Sequence, residues 1–169
     1  MLFRSYEVFS SDEEMRFTVG MSNPSPNVPS VVASEVLFSI DLRHPKTQIL
    51  AAAEDRVADI VKNTLQTCKG QVWTIASADT ISFSQDIIKV IEEAADSLGL
   101  LYRRIFSGAG HDARQMSYYC PSGMIFVPSK DGISHNVKEY TSQSDLVAGA
   151  RVLCDTLMNL ANMPDLGTK

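Results

Sequence analysis

"VVASEVLFSIDLR", Val31 to Arg43, is the stretch on which the fold turns. From Val36 onward it alternates: Val36, Phe38, Ile40 and Leu42 fall on one side, Leu37, Ser39, Asp41 and Arg43 on the other. A period of two is that of a strand with one covered face and one wet face. His44–Pro45 ends the run, and Pro45 suits the first turn of a helix. That helix is expected from Thr47 to Lys69, because Ile49, Leu50, Ala53, Val57, Ile60, Val61 and Leu65 recur at spacings of three and four. Gly70 supplies its stop.

Upstream, "RFTVGMS", Arg16 to Ser22, is a second short β-rich run. "NPSPNVPS", Asn23 to Ser30, is expected to be an extended connector, since its prolines fix φ and push their predecessors out of the helical region. Downstream, "QVWTIASA", Gln71 to Ala78, alternates again, so the first half reads strand–strand–helix–strand. In the second half Ser84 is placed to cap a helix through Leu98, with a stripe of Ile87, Ile88, Ile91, Ala94 and Ala95, and Gly99 to end it. A strand "LLYRRIF", a glycine-rich "SGAG", a short helix from His111 to Tyr119, a strand "GMIFVP", a loop and a closing helix from Ser142 to about Leu160 follow. Strands alternating with helices suggest a mostly parallel sheet. The expected class is α/β (α+β) in two lobes, with an N-terminal arm over residues 1–15 and a lobe boundary near Asp79–Ile81.

The bulk numbers fit a globular chain without staples. At 169 residues it can bury roughly two-thirds of its unfolded surface. A net charge of −5 argues against a nucleic-acid partner, which needs a basic face to displace counterions. No apolar run is long enough to span a bilayer and the first fifteen residues hold no signal-peptide core, so a cytoplasmic protein with no membrane partner is expected. Cys68, Cys120 and Cys154 are far apart and odd in number; they read as reduced, mostly buried thiols.

Three places could carry chemistry. His135 follows an apolar strand in "KDGISHNVKEYT", where a neutral imidazole could bind a divalent metal or simply sit in a loop. His111 and Asp112 in "SGAGHDA" follow glycines that let a backbone approach a ligand; a tight strand–helix turn explains them equally well. Arg43, at the end of its strand, can grip a carboxylate bidentately or pair with Asp41. Glu13 and Glu14 lie in the arm, and Glu92 and Glu93 on a solvated helix face.

The segments "FTVG", "PNVPSVV", "FSIDLRHP", "SGAGHDA", "GMIFVPSKDGISH" and "EYT" occur in an order that resembles one family. It is the metal-dependent amidohydrolases of the M20 peptidase clan, with the N-carbamoyl-L-amino acid hydrolases, β-ureidopropionases and allantoate amidohydrolases. The wording "MIFVPSKDGISH" leans towards the carbamoylase branch, with allantoate as the alternative substrate. The resemblance implies a lid and dimerisation domain over 16–80, of antiparallel sheet plus helix, followed over 81–169 by the C-terminal part of an α/β catalytic domain. It implies His135 as a ligand of a divalent metal (zinc, manganese or cobalt). Gly110 and His111 would face the substrate, and Arg43 would hold the substrate carboxylate in a partner subunit's site. Ser30 stands where the family has an asparagine; a hydroxyl has one donor in place of an amide's two. The family's other ligands and its general-base glutamate have no counterpart in these residues, and His44 is the only other histidine. The expectation is a homodimer through the lid lobe, taking a small carboxylate-bearing substrate, and inactive alone. The alternative is a non-catalytic dimerisation or ligand-binding module.

Overall fold

Among the described residues, two strands and a helix packed on them lie in the first of two compact units. The computed structural model describes Ser5, Phe9, residues 11–65 and residues 67–163. The first unit runs up to Ile81 and includes Phe106–Gly108; the second comprises Ser82–Ile105 and the chain from Ala109 onward.

In the first unit β1 (Arg16–Ser25) pairs antiparallel with β2 (Glu35–Arg43), from Arg16 opposite Arg43 to Ser25 opposite Glu35. The register slips between Thr18 and Met21, so Val19 and Gly20 together face Ile40. This bulge keeps Phe17 and Leu42, before it, and Ser22 and Phe38, after it, as directly opposed pairs. The proline-rich stretch is only partly a connector: Asn23, Pro24 and Ser25 extend β1. Pro24 is tolerated because a two-stranded ribbon is all edge. Ser34 closes the loop, its N–H and Oγ both donating to the Ser25 carbonyl at 2.8 and 3.0 Å.

Helix α1 (Thr47–Thr64) buries Ala53, Val57 and Ile60, spaced at i, i+4 and i+7. They join Phe9 and Met15 in one core, with Phe17, Ile40, Leu42 and Ile49 packed against it; the rings of Phe9 and Phe17 stack 5.6 Å apart. The stretch before β1 thus gives two side chains to this core. Burying a side chain such as Phe9 stabilises by roughly 1.5–3 kcal/mol. Lys46 is the N-cap, so Pro45 lies just outside the helix. The helix ends at Thr64, short of the expected Lys69. Gly70 is not its cap: a Cβ there would lie 2.2 Å from Leu65 Cδ1 and 2.8 Å from Val61 Cγ1, so the missing side chain lets the chain fold back on the last turn.

The second unit pairs α2 (Gln85–Ser97) with α4 (Gln143–Ala161); Ala94, Ala95 and Val152 are buried between Ile91, Leu98, Leu100 and Ile125. Ser84 and Ser142 cap these helices, accepting from the N–H of Ile87 and of Asp145. Gly99, at φ 66°, ends α2: its N–H bonds Asp96 O and that of Leu100 bonds Ala95 O, the paired closure that a left-handed residue permits. Between them lie α3 (Asp112–Met116) and a 3-10 turn, Lys130–Gly132.

The mixed helix-and-sheet class holds, but three expected strands do not. Gln71–Ala78, Leu100–Phe106 and Gly123–Pro128 carry no ladder, and among the described residues the only sheet is the antiparallel β1–β2 pair. A strand exists only where a neighbouring backbone takes up its N–H and C=O groups. The cysteines are not mostly buried: Cys68 and Cys154 are exposed and Cys120 is partly so. On α4 the buried residues are Val152 and Thr156, one turn apart, which turns Cys154 to the opposite face.

Candidate functional site

The end of β2 is the most organised polar region of the first unit. Arg43 donates from Nε to Asp41 Oδ1 at 2.9 Å, from Nη2 to Asp41 Oδ2 at 2.6 Å and from Nη1 to the Gly108 carbonyl at 2.7 Å. Asp41 and Arg43 share a strand face because they are two apart. The guanidinium holds the Asp41 carboxyl below its usual range, against a smaller opposing effect of burial, and the carboxylate raises Arg43 in return. One N–H remains on each terminal nitrogen of a half-exposed fork. Arg43 is therefore both the Asp41 partner and a pre-oriented donor for a further carboxylate.

His44, the next residue, points inward and its side chain is wholly enclosed. Its Nδ1 accepts the Lys46 N–H at 2.9 Å and lies 3.3 Å from the Lys46 carbonyl. Nε2 faces Asp12 Oδ2 at 3.3 Å and Glu14 Oε2 at 3.9 Å. Thr80 ties the same corner, donating from Oγ1 to the His44 carbonyl at 2.9 Å and from N–H to Thr47 Oγ1 at 3.2 Å. In the sequence Asp12 and Glu14 stand out only as part of an acidic run, "SDEE", before a strand. Ser30 lies exposed in the loop between β1 and β2.

The other singled-out residues belong to the second unit. His111 is the N-cap of α3 and sits edge-on to Phe126, ring centroids 5.6 Å apart. α3 has only five residues, too short for a developed dipole at its start. Gly110 is exposed, with nothing within 4 Å of the place a Cβ would take. His135 is exposed at φ 55°, its N–H donating to Glu139 Oε2 at 2.9 Å. Asparagine, aspartate and histidine are the non-glycine residues that most often adopt such a conformation. The loop around it is closed by Lys130 N–H to Tyr140 O at 2.8 Å and by a short hydrogen bond from Ser129 Oγ to the Ile133 carbonyl. A catalytic zinc takes about three protein ligands. Among the described residues no trio of His, Cys, Asp or Glu gathers at His135, so this chain offers a single donor there and not a complete metal centre.

Glu92 is not merely solvated. Arg104 grips it with Nε at 2.7 Å and Nη2 at 2.8 Å, bonds Gln85 Oε1 at 2.9 Å, and holds the Glu92 carboxyl below its usual range.

In fold and in the order of these residues the chain is similar to hydrolases acting on amide-type C–N bonds. It belongs to peptidase family M20/M25/M40, which matches residues 7–159. It is 36% identical over 163 residues to the allantoate amidohydrolase of Bacillus subtilis (strain 168), covering 95% of this chain and 39% of that protein. It is 32% identical over 138 residues to the N-carbamoyl-L-amino-acid amidohydrolase of Paenarthrobacter aurescens, covering 80% of this chain and 34% of that protein. A crystal structure of an amidase of the hydantoinase/carbamoylase family from Burkholderia multivorans superposes with a TM-score of 0.79 at 32% identity, over 97% of this chain and 42% of that one. The chain thus spans between about a third and two-fifths of the length of these relatives, 34% to 42%. No helix among the described residues is long and apolar enough to cross a membrane.

Proposed function

We propose that this chain serves a metal-dependent amidohydrolase that cleaves the carbamoyl C–N bond of N-carbamoyl amino acids, with allantoate as the alternative substrate. In this reading residues 16–80 act as the lid and dimerisation domain, and residues 81–169 contribute the C-terminal part of the catalytic domain. The protein is a cytoplasmic homodimer, in which Arg43 holds the substrate carboxylate in the partner subunit's site. The supporting observation is the Arg43 fork, fixed by Asp41 and Gly108 with donors to spare, in a chain similar over nearly its whole length to such enzymes. Gly110 and His111 face the substrate, Ser30 adds a weaker contact than an amide would, and His135 supplies one ligand to a zinc, manganese or cobalt ion. The 169 residues alone do not turn over substrate, since His135 gathers too few donors.

The same sparse donor set favours a second reading, a module that binds small carboxylates without chemistry. The purified chain, supplied with zinc, manganese or cobalt, is assayed for amino acid released from N-carbamoyl amino acids, for ammonia released from allantoate, and for binding of both by calorimetry. Saturable binding without turnover, lost in Arg43→Ala, supports the grip and leaves catalysis to residues outside these 169. Binding that needs no metal and is unchanged in His135→Asn favours the module. Turnover by the chain alone refutes the inactivity, and no binding by either substrate sinks both readings.

A further inference from the structure

We infer that Asp12, Glu14 and His44 form a divalent-cation site that ties the segment before β1 to the end of β2. Oxygen and nitrogen atoms of the three side chains all lie within 4.8 Å of one another. Two acidic side chains near a histidine would not suffice, but His44 adds an independent sign. Its side chain is fully enclosed, and among the described residues Nε2 has no hydrogen-bond partner although Asp12 Oδ2 is 3.3 Å away. The distance suits a hydrogen bond and the direction does not. A buried ring nitrogen left in that state is costly, and a metal ion is one group that both the nitrogen and the two carboxylates would bind.

The spacing agrees with this. Ligands about 2.0–2.2 Å from a tetrahedral zinc stand roughly 3.3 Å from each other. The His44–Asp12 pair is already there, and the His44–Glu14 pair, at 3.9 Å, is slightly wide. Glu14 is the most exposed of the three and free to move inward; Asp12 is fixed, its Oδ1 accepting the Glu14 N–H at 2.9 Å, which leaves Oδ2 for the ion. The far side of the ring must change its tautomer for Nε2 to bind an ion. With Nδ1 accepting from Lys46 N–H, a neutral ring carries its proton on Nε2 and cannot ligate there. When the tautomer shifts, Nδ1–H can donate to the Lys46 carbonyl, 3.3 Å away, and gives up the bond it accepts from Lys46 N–H. A backbone carbonyl is a usual partner for a metal-bound imidazole. Three protein ligands of this kind suit zinc or its neighbours better than calcium, which takes six to eight oxygens.

The test uses the full chain carrying His135→Asn, so that the loop histidine cannot contribute, and zinc chloride as the probe. Calorimetry should find one zinc per chain, and the melting midpoint should climb with zinc concentration, as it does when a ligand binds only the folded state. Asp12→Asn and Glu14→Gln are near-isosteric and sit on partly exposed side chains, so both variants should fold. Each should weaken zinc about 10–100-fold, a loss that even outer-shell changes produce. His44→Ala should abolish binding if it folds, but the argument stands on the two surface variants. No zinc binding at millimolar concentration would overturn the site. So would binding unchanged in the Asp12→Asn Glu14→Gln double variant, or a fall in the melting midpoint on adding zinc.

Discussion

His44 and His135 carry the same side chain in opposite circumstances. His44 ends a strand whose neighbour is locked by Asp41, its ring is enclosed, and two carboxylates converge on it from 30 or more residues upstream. His135 sits on an exposed loop in a left-handed backbone conformation, its N–H donating to Glu139 Oε2. The familiar sequence motif surrounds His135, whereas the donors surround His44. A motif reports what a residue does in a complete site; only packing reports which donors this chain itself assembles.

The largest effect expected is therefore on stability, and it should be lopsided. His44→Ala removes a fully buried ring, leaves a void and strands the Lys46 N–H, and should destabilise by about 2–4 kcal/mol in urea unfolding. His135→Asn replaces an exposed ring with a residue that accepts a positive φ and should change stability by less than about 0.5 kcal/mol. Equal costs would erase the distinction between the two histidines.

What the sequence showed follows the same division between local and assembled features. The alternation of β2, the serine caps at Ser84 and Ser142 and the stop at Gly99 depend on chemistry within a few residues, and all were legible. The segments Gln71–Ala78 and Gly123–Pro128 look like strands by composition, but among the described residues neither pairs with another backbone in a ladder. Helix α1 stops at Thr64 because Leu65 leaves the helical region at ψ 104°, a turn of the backbone that no glycine or proline announces. Arg43, His111 and His135 were visible as motif letters. Asp12 and Glu14 were not, because their role depends on a fold that returns β2 beside them.

A second contrast lies within the helices. Gly149 in α4 carries no side chain because a Cβ would come 2.4 Å from Val127 Cγ1. Valine is stiff at χ1, so Gly149→Ala should cost about 1–3 kcal/mol from overpacking, offset by up to about 1 kcal/mol of helix propensity. Thermal unfolding should show net destabilisation; a rise in the midpoint would mean that Val127 yields easily.

The Asp41–Arg43 pair should matter less, since both side chains are about half exposed, at 47% and 48%. Arg43 lowers the Asp41 pKa, so the folded state binds that proton more weakly than the unfolded state. The resulting stabilisation is complete above the unfolded carboxylate value of about 3.9 and fades as pH falls through the lower folded value. Asp41→Asn should cost under about 1 kcal/mol at pH 7 and flatten the stability slope below about pH 4. Urea midpoints at the two pH values would read this, and an unchanged slope would detach Asp41 from the acid response.

Gly110 should give the smallest structural effect and the sharpest functional one. A methyl group there meets nothing within 4 Å, so Gly110→Ala should leave the stability within about 0.5 kcal/mol of the parent. If Gly110 faces a bound carboxylate, the added carbon occupies ligand space, and affinity for N-carbamoyl amino acids should fall while stability does not. Unchanged affinity in Gly110→Ala, with affinity lost in Arg43→Ala, would confine the recognition surface to the end of β2. The glycine-rich loop would then be a turn and no more.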